Sequence, residues 1–474
     1  MTTNQISLRP YQRKFIDDIR AVFKKGNSRV CGVAPCGAGK TIMTGWMIKE
    51  AVQRGKRALF FVHRKELIEQ TAETFCKLQI PFGVISAGFS QDYNLPVQIA
   101  SVQTLSRRLD SIPAPDLLIC DECHHILSNS YLKILERWKN SFLVGVTATP
   151  ERIGGVRLGD VFQSLVFSPS VKQLIELGNL TPFNYLSPVA DVNFNGLRTV
   201  YGEYDLHQLE EIMANDKVVA GVVQKYIEHA NGKSCICYCV NVNHSKITAA
   251  AFNNAGIPAA HVDGDTPKNL RDKIVKSFRA GAIKVLCNAE LFGEGFDVPN
   301  MDAVILARPT KSLTLHIQQS MRPMRPDKNN PEKIATIIDY VKNWELHGLP
   351  DTPHRWSLSP NKEKEEGLPP FRVCKRCRAV CPVHDKTCHK CGYIFPPPVH
   401  DITKNVGKLQ GVKKFSIEFF LELAKKKGFQ PYWAAMKALD YADSYDDVLH
   451  IADVMKFKQG WAWHKWNEIS SLDS

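Results

Sequence analysis

Val30-Cys-Gly-Val-Ala-Pro-Cys-Gly-Ala-Gly-Lys-Thr41 runs from an apolar strand through a glycine-bearing loop into the helical sequence Ile42-Met-Thr. Glycines at 37 and 39 let the backbone turn its N–H groups inward around an anion, at a helix N-terminus that already favours negative charge. In that frame Pro35, Cys36, Gly37, Ala38 and Gly39 wrap phosphates, Lys40 reaches the β- and γ-phosphates of ATP, and Thr41 holds Mg²⁺ through its hydroxyl. Ala34 stands where the first glycine of such loops is usual.

A phosphate loop needs an acidic partner on a neighbouring strand. Leu117-Leu-Ile-Cys-Asp-Glu-Cys-His124 supplies it, since the apolar run delivers two carboxylates at its C-terminal end, where open parallel sheets bind ligands. Asp121 fits a Mg²⁺ ligand. Glu122 fits the residue that orients and deprotonates the attacking water, because phosphoryl transfer is mostly positioning and charge stabilisation.

Outward from these two motifs, apolar β-rich runs alternate with amphipathic helical stretches up to about residue 345. Strands are expected at Val30–Ala34, Ala58–Val62, Val97–Ala100, Leu117–Cys120 and Leu143–Thr147, and again at Ser234–Val240, Lys284–Asn288, Ala303–Ala307 and Ala335–Tyr340. Continuous apolar runs of this kind belong to parallel strands covered on both faces, so the two sets predict two doubly wound α/β domains. Their join falls between Leu180 and Asp216, where Pro182, Pro188 and Gly196 interrupt the pattern. Beyond Val341 the texture changes. Residues 346–370 combine prolines with the charged run Lys362-Glu-Lys-Glu-Glu366 and read as a linker or an irregular packed arm. A cysteine-rich stretch and a helical tail follow.

Composition narrows the class. The chain has 474 residues, 44% hydrophobic and 23% charged, within the range of folded globular proteins and far from the disordered class. Its 61 Lys and Arg against 48 Asp and Glu leave a net charge of +13, which favours polyanion partners. Residues 371–427 carry 13 basic and four acidic side chains, so the basic character concentrates around the cysteine module and the segment after it. No apolar run reaches the roughly 18 residues that span a bilayer. The start Met1-Thr-Thr-Asn-Gln lacks a signal pattern, which places the protein in the cytoplasm of a bacterium or, if phage-encoded, of its host. In that reducing compartment the 14 cysteines read as buried thiols or metal ligands.

Further motifs stand in order along the chain: Leu8-Arg-Pro-Tyr-Gln12, Val62-His-Arg-Lys-Glu-Leu67, Ser101-Val-Gln-Thr-Leu105, Asp121-Glu-Cys-His124, Thr147-Ala-Thr-Pro150, Asn288-Ala-Glu-Leu-Phe-Gly-Glu-Gly-Phe-Asp297 and Gln318-Gln-Ser-Met-Arg-Pro-Met-Arg325. With the phosphate loop, this series resembles the superfamily 2 helicases of the DEAD/DEAH-box type, in an Asp-Glu-Cys-His variant, and looks closest to the bacterial and phage branch with RadD-like and XPB-like translocases. The resemblance covers about residues 6–345. It implies two RecA-like domains, 1–185 and 186–345, that clamp ATP between them and carry nucleic acid across their top. By the same resemblance Gln12 reads adenine, supported by Arg9. Thr147 and Thr149 couple the γ-phosphate state to domain motion, with His124 contacting Gln318 across the cleft. Gly295 and Asp297 approach the nucleotide from the second domain, and Arg322 and Arg325 act as arginine fingers. The family usually has glycine where this chain has Met321, so the local backbone path is expected to differ.

Nucleic-acid contacts are expected on the strand ends facing away from ATP, at His63, Arg64, Ser101, Gln103 and Thr104, and in the second domain at Asn243. Such residues touch phosphates without base preference, which lets a motor move along any sequence.

The second chemical site is Cys374-Lys-Arg-Cys377 followed, ten residues later, by Cys388-His-Lys-Cys391. Four thiolates in two such knuckles suit a tetrahedral, structural Zn²⁺, with Cys381, His384 and His389 close enough to be rival ligands. A zinc ribbon is therefore expected over residues 371–398, and a helical C-terminal domain over 399–474. The tryptophans 433, 461, 463 and 466 of that tail read first as a helical core and second as a base-stacking surface.

The expectation is an ATP-dependent DNA helicase or translocase acting on single-stranded, forked or branched DNA, with replication or recombination proteins as further partners through the C-terminal domain. Phosphate contacts alone leave RNA open as the substrate. An ATP-gated nucleic-acid clamp with little unwinding is the other alternative.

Overall fold

A run such as Ala58-Leu-Phe-Phe-Val62 has no polar alternation, so as a strand it must be covered on both faces. All five of its residues are buried in the computed structural model. This structure describes residues 7–90, 92–150, 158–188, 192, 194, 196–200, 202–289, 301–358, 369–396, 417–442 and 444–470. It divides into two units, Met1–Phe395 and Pro396–Ser474.

The first unit is built on two large sheets. The first contains β1 (Arg29–Val33), β2 (Ala58–Val62), β3 (Gly83–Ile85), β4 (Val97–Ser101), β5 (Leu117–Asp121), β6 (Phe142–Thr147) and β7 (Ser164–Phe167), in spatial order β3-β4-β2-β5-β6-β1-β7. Every pairing is parallel. The second contains β8 (Phe183–Leu186) and, after a short hairpin of β9 (Thr199–Val200) and β10 (Glu203–Tyr204), β11 (Cys235–Tyr238), β12 (Ala259–Val262), β13 (Val285–Asn288), β14 (Ala303–Leu306) and β15 (Ala335–Asp339). Its order is β12-β13-β11-β14-β15-β8, again all parallel. The α/β expectation of two tandem parallel-sheet domains is what forms. β8 already pairs with β15, so the chain enters the second sheet at Phe183, before the expected boundary at 185/186.

The cysteine module is less separate than its composition implied. Its two strands, β16 (Phe371–Val373) and β17 (Val380–Pro382), pair antiparallel, and Ala379 bridges to Leu186 at the end of β8. Cys374, Cys381, Cys388 and Phe395 share one buried cluster with Cys235, Cys237 and Ile305 of the second sheet. The described part of the expected linker is a packed arm. Leu349 and Thr352 are buried, Trp356 and Leu358 lie against the core of the first domain, and the Leu358 carbonyl accepts from Gly159 N at 3.1 Å.

The described residues of the second unit form four helices, Ile417–Lys427, Pro431–Leu439, Tyr445–Val454 and Gln459–Ser470. Their core is built on Ile417, Phe420, Ala434, Val448 and Ile451, with Trp433, Trp461 and Trp466 packed against it. Trp463 stands out at 56% exposure, so three of the four tryptophans serve the core. Among the described residues no helix is long and apolar enough to cross a membrane.

Candidate active site

β1 ends at Val33, and the phosphate loop begins on a strand-type bond, Ala34 N donating to the Thr147 carbonyl of β6 at 2.9 Å. Gly37 and Gly39 both have φ of +85°, the left-handed region that glycine adopts without strain. A Cβ on Gly39 would lie 2.5 Å from Gln12 Nε2, so a larger residue there would also push Gln12 off the Ala38 carbonyl. The helix Lys40–Gln53 then starts with its first N–H groups facing the loop.

Gln12 and Arg9 lie beside this loop. Gln12 Nε2 donates to the Ala38 carbonyl at 3.1 Å, Gln12 Oε1 accepts from Arg9 N at 3.0 Å, and the Tyr11 hydroxyl donates to the same carbonyl at 2.8 Å. Tyr11, which the sequence reading passed over, thus shares the work of holding the loop.

The acidic pair arrives on β5. Asp121 is buried, and Glu122 follows it with φ of +47°, an uncommon conformation for a residue with a side chain. Lys40 Nζ stands 3.5 Å from Glu122 Oε1. Burial works against the Lys40 charge, but Glu122, Cys36 and Asp121 outweigh it and raise the pKa. Burial, with Glu122 alongside, pushes Asp121 up to about 6, against the pull of Lys40. Two adjoining carboxylates against one ammonium leave the site short of positive charge. A hard divalent cation satisfies that deficit, and the Asp121 carboxylate and Thr41 hydroxyl are the oxygen donors Mg²⁺ takes. Burial also pushes the Cys36 thiol up, which marks it as a loop residue and not a nucleophile.

His124 and the threonines form the next layer. His124 Nδ1 lies 3.1 Å from Thr147 Oγ1 and 3.4 Å from Glu122 Oε2. Thr147 Oγ1 donates to the Thr149 carbonyl at 3.0 Å and accepts from Thr149 N at 3.2 Å. Thr149 Oγ1 then meets Thr314 Oγ1 at 2.7 Å, on helix Leu313–Ser320 of the second domain. Thr314 belongs to no sequence motif, and only the fold brings it here. Gln318, on the same helix, is buried with no hydrogen-bond partner for its Oε1 among the described residues, so that atom does not bond His124 in this state.

Arg322 and Arg325 approach from the second domain. Both are close enough to the phosphate loop for their charges to act on Cys36. Arg322 donates to the Tyr238 hydroxyl, and Lys333 Nζ fixes the Arg325 carbonyl at 3.0 Å. Met321 is 1% exposed, with φ −81° and ψ −7°, so it is a core residue on a right-handed path that needs no glycine. Gly295 and Asp297 lie outside the described residues.

The expected nucleic-acid residues divide. His63 and Arg64 follow β2, half-buried, and Gln103, exposed, donates to the His63 carbonyl at 2.9 Å. Ser101 is buried and occupied as a helix cap, accepting from Thr104 N at 3.3 Å while its hydroxyl donates to Thr104 Oγ1 at 2.9 Å. Its side chain therefore shapes the loop and is not offered to a phosphate. Asn243 is exposed and donates to Glu210 at 2.8 Å.

At the cysteine module the Sγ atoms of Cys374, Cys377, Cys388 and Cys391 all lie within 4.8 Å of one another. The pairs 374–391 and 377–388 are 3.8 and 3.5 Å apart. With Zn–S near 2.3 Å, a tetrahedron has S–S edges of about 3.8 Å, so the residues fit zinc. Burial would raise Cys388, but the N–H groups of Cys391 and Lys390 aimed at its sulfur bring it down to about 7. Cys381 Sγ sits outside the four, 3.8 Å from Cys388 and 3.5 Å from His389 Nδ1, and His384 points to solvent beside Asp385.

A phosphate loop and acidic pair on one parallel sheet, faced by arginines from a second, define a nucleotide-driven two-domain ATPase. The chain matches the family described as "Type III restriction enzyme, res subunit" over residues 5–152 and that described as "Helicase conserved C-terminal domain" over 218–327. It is 36% identical over 400 residues to a 51.5 kDa protein of a Lactococcus phage, covering 83% of this chain and 85% of that one. Over 355 residues it is 29% identical to the putative ATP-dependent helicase IRC3 of Saccharomyces cerevisiae, covering 70% of this chain and 51% of the yeast protein, about half its length. It is 25% identical over 376 residues to the DNA 3'-5' translocase XPB2 of Sulfurisphaera tokodaii, covering 71% and 82%. Its fold superposes on a fragment of a putative HsdR subunit of a type I restriction enzyme from Vibrio vulnificus with TM-score 0.57 at 20% identity, covering 74% and 69%. The chain belongs to the superfamily 2 helicases, enzymes whose ATP hydrolysis depends on nucleic acid.

Proposed function

We propose that this protein is a DNA translocase or helicase that remodels forked or branched DNA. The observation that carries the motor reading is the division of the site. Lys40, Asp121 and Glu122 stand on the first sheet, while Arg322 and Arg325 reach the phosphate loop from the second and Thr149 bonds Thr314 across the join. A site completed by two domains converts the presence of a γ-phosphate into domain closure. The DNA part of the reading draws on the translocase name of the archaeal relative and on the net charge of +13.

In this reading Lys40 and the loop N–H groups hold the phosphates, and Glu122 orients and deprotonates the attacking water. Asp121 and Thr41 would hold Mg²⁺, which would supply positive charge to the phosphate oxygens. Arg322 and Arg325 stabilise the charge that develops in the transition state, a role typically worth about 10³–10⁵ in rate. His124, Thr147 and Thr149 pass the phosphate state to the second domain. His63, Arg64, Gln103, Thr104 and Asn243 line the DNA path. The four cysteines would hold a structural Zn²⁺, and the basic tips Lys375, Arg376 and Lys390 beside them would face the same polyanion.

The test is ATP hydrolysis by the full chain without polynucleotide and with single-stranded, duplex and forked DNA and RNA, with Lys40→Ala as the blank. Strong stimulation by DNA, greatest for the fork, is expected. Equal or greater stimulation by RNA overturns the substrate, and a flat, low rate in every tube overturns the motor in favour of an ATP-gated clamp.

A further inference from the structure

At the end of the first sheet opposite the phosphate loop lies a cavity of about 650 Å³, between helix Lys40–Gln53, the start of β5 and the start of β6. That volume is within the range of ligand pockets. Strands of five residues separate it from the nucleotide by roughly 13 Å of sheet. Its floor is apolar: Phe23 and Phe142 pack ring to ring at 4.9 Å, Met47 closes one side, and Phe142 remains 46% exposed.

Two features set this cavity apart from an ordinary surface dent. Trp138 lines it at 4% exposure, and its buried indole Nε1–H has no hydrogen-bond partner among the described residues. A buried donor left unmade is destabilising, so an acceptor that reaches it is favoured there. The rim is basic. Arg20, Arg54, Lys56, Arg137 and Lys139 surround it; Arg20 is paired with Asp17 and Glu50, Lys56 with Asp116 at 3.0 Å and Arg137 with Asp110 at 3.4 Å, which leaves two of the five cations for a ligand. Arg54 and Lys139 are exposed and make no ion pair among the described residues, and Arg54 stands near enough to Arg20 to disfavour its charge.

We propose that this cavity docks a short acidic segment of a partner protein, which seats one aromatic or aliphatic side chain on Phe142, gives a carbonyl or carboxylate oxygen to Trp138 Nε1, and lays its acids on Arg54 and Lys139. An enclosed apolar floor accepts a side-chain anchor, whereas a nucleic acid backbone needs only the cations and would leave the floor empty.

The probe is a fluorescein-labelled peptide with Trp-Leu between two runs of three aspartates, titrated into the full chain by fluorescence anisotropy. Saturable micromolar binding is expected, weakened at least about tenfold in the double variant Arg54→Glu, Lys139→Glu. Ala51→Phe, which fills the cavity from the helix without touching the charges, is expected to block binding as well. Unchanged basal ATP hydrolysis in both variants shows that they fold. The inference is overturned by absent binding, by equal affinity for a peptide with Ser-Gly in place of Trp-Leu, or by displacement of the peptide with stoichiometric single-stranded DNA.

Discussion

Asp121 carries the sharpest consequence at the scale of one residue. Its carboxyl is pushed up to about 6 by burial and by Glu122, against about 3.8 unfolded. The folded state therefore binds more protons than the unfolded chain between those values, and metal-free stability falls as pH rises through that window. Asp121→Asn keeps an oxygen for the Glu122 N–H, now at 3.0 Å, and removes the buried charge. In the metal-free protein at pH 7 the variant should melt above the parent by about 2–4 °C, the gap closing near pH 4. ATP hydrolysis should be lost altogether. A variant melting below the parent at pH 7, by differential scanning fluorimetry in chelator, would show that the site does not lack positive charge.

Among elements, helix Leu313–Ser320 does more than its sequence announces. It presents Thr314 to Thr149, and Met321, the residue that caps its C-terminus, is sealed in the core. Thr314→Val keeps the shape and removes the bond, so basal hydrolysis should stay within about twofold while nucleic-acid stimulation drops several-fold, the scale of one hydrogen bond of about 1 kcal/mol. Equal loss of both rates would mean that Thr314 serves the chemistry and not the coupling. Met321→Ala opens a cavity under the arginine turn and should destabilise the protein by about 2–5 kcal/mol in urea titration. What sequence reading reached and missed follows the same logic. The buried strands β1, β2, β4, β5, β6, β11, β13, β14 and β15 were legible because a strand with neighbours on both sides must be apolar throughout. In the two large sheets the missed strands, β3, β7, β8 and β12, are the four edges. An edge strand has a neighbour on one side alone and leaves a weaker apolar run, as the three-residue Gly83-Val-Ile and the half-buried Ala259-Ala-His do. Likewise Lys40 and the acidic pair announce themselves by local chemistry. Tyr11 and Thr314 depend on what the fold sets beside them, as does the cap that Ser101 makes on Thr104.

Across the first unit, the module that looked most detachable is tied to the second sheet. Ser187 N donates to the Arg378 carbonyl at 3.0 Å, Ala379 bridges to Leu186, and Cys374, Cys381 and Cys388 lie in the same buried cluster as β11 and β14. A free-standing ribbon that lost its metal would unfold alone and leave the ATPase untouched. Here the four thiols close an edge of the second domain, which also carries Arg322 and Arg325 beside the phosphate loop. Elemental analysis should give one zinc per chain, and Cys388→Ser should abolish it. Because binding energy at such a site is folding energy, the variant should also lower the melting midpoint of the ATPase domains by more than about 5 °C and depress nucleic-acid-stimulated hydrolysis. Calorimetry separates the alternatives: a single shifted transition means that ribbon and second domain fold as one body. A small early transition followed by an unshifted main one, with the stimulated rate intact, would make the ribbon an appendage and place its contribution in DNA contact alone.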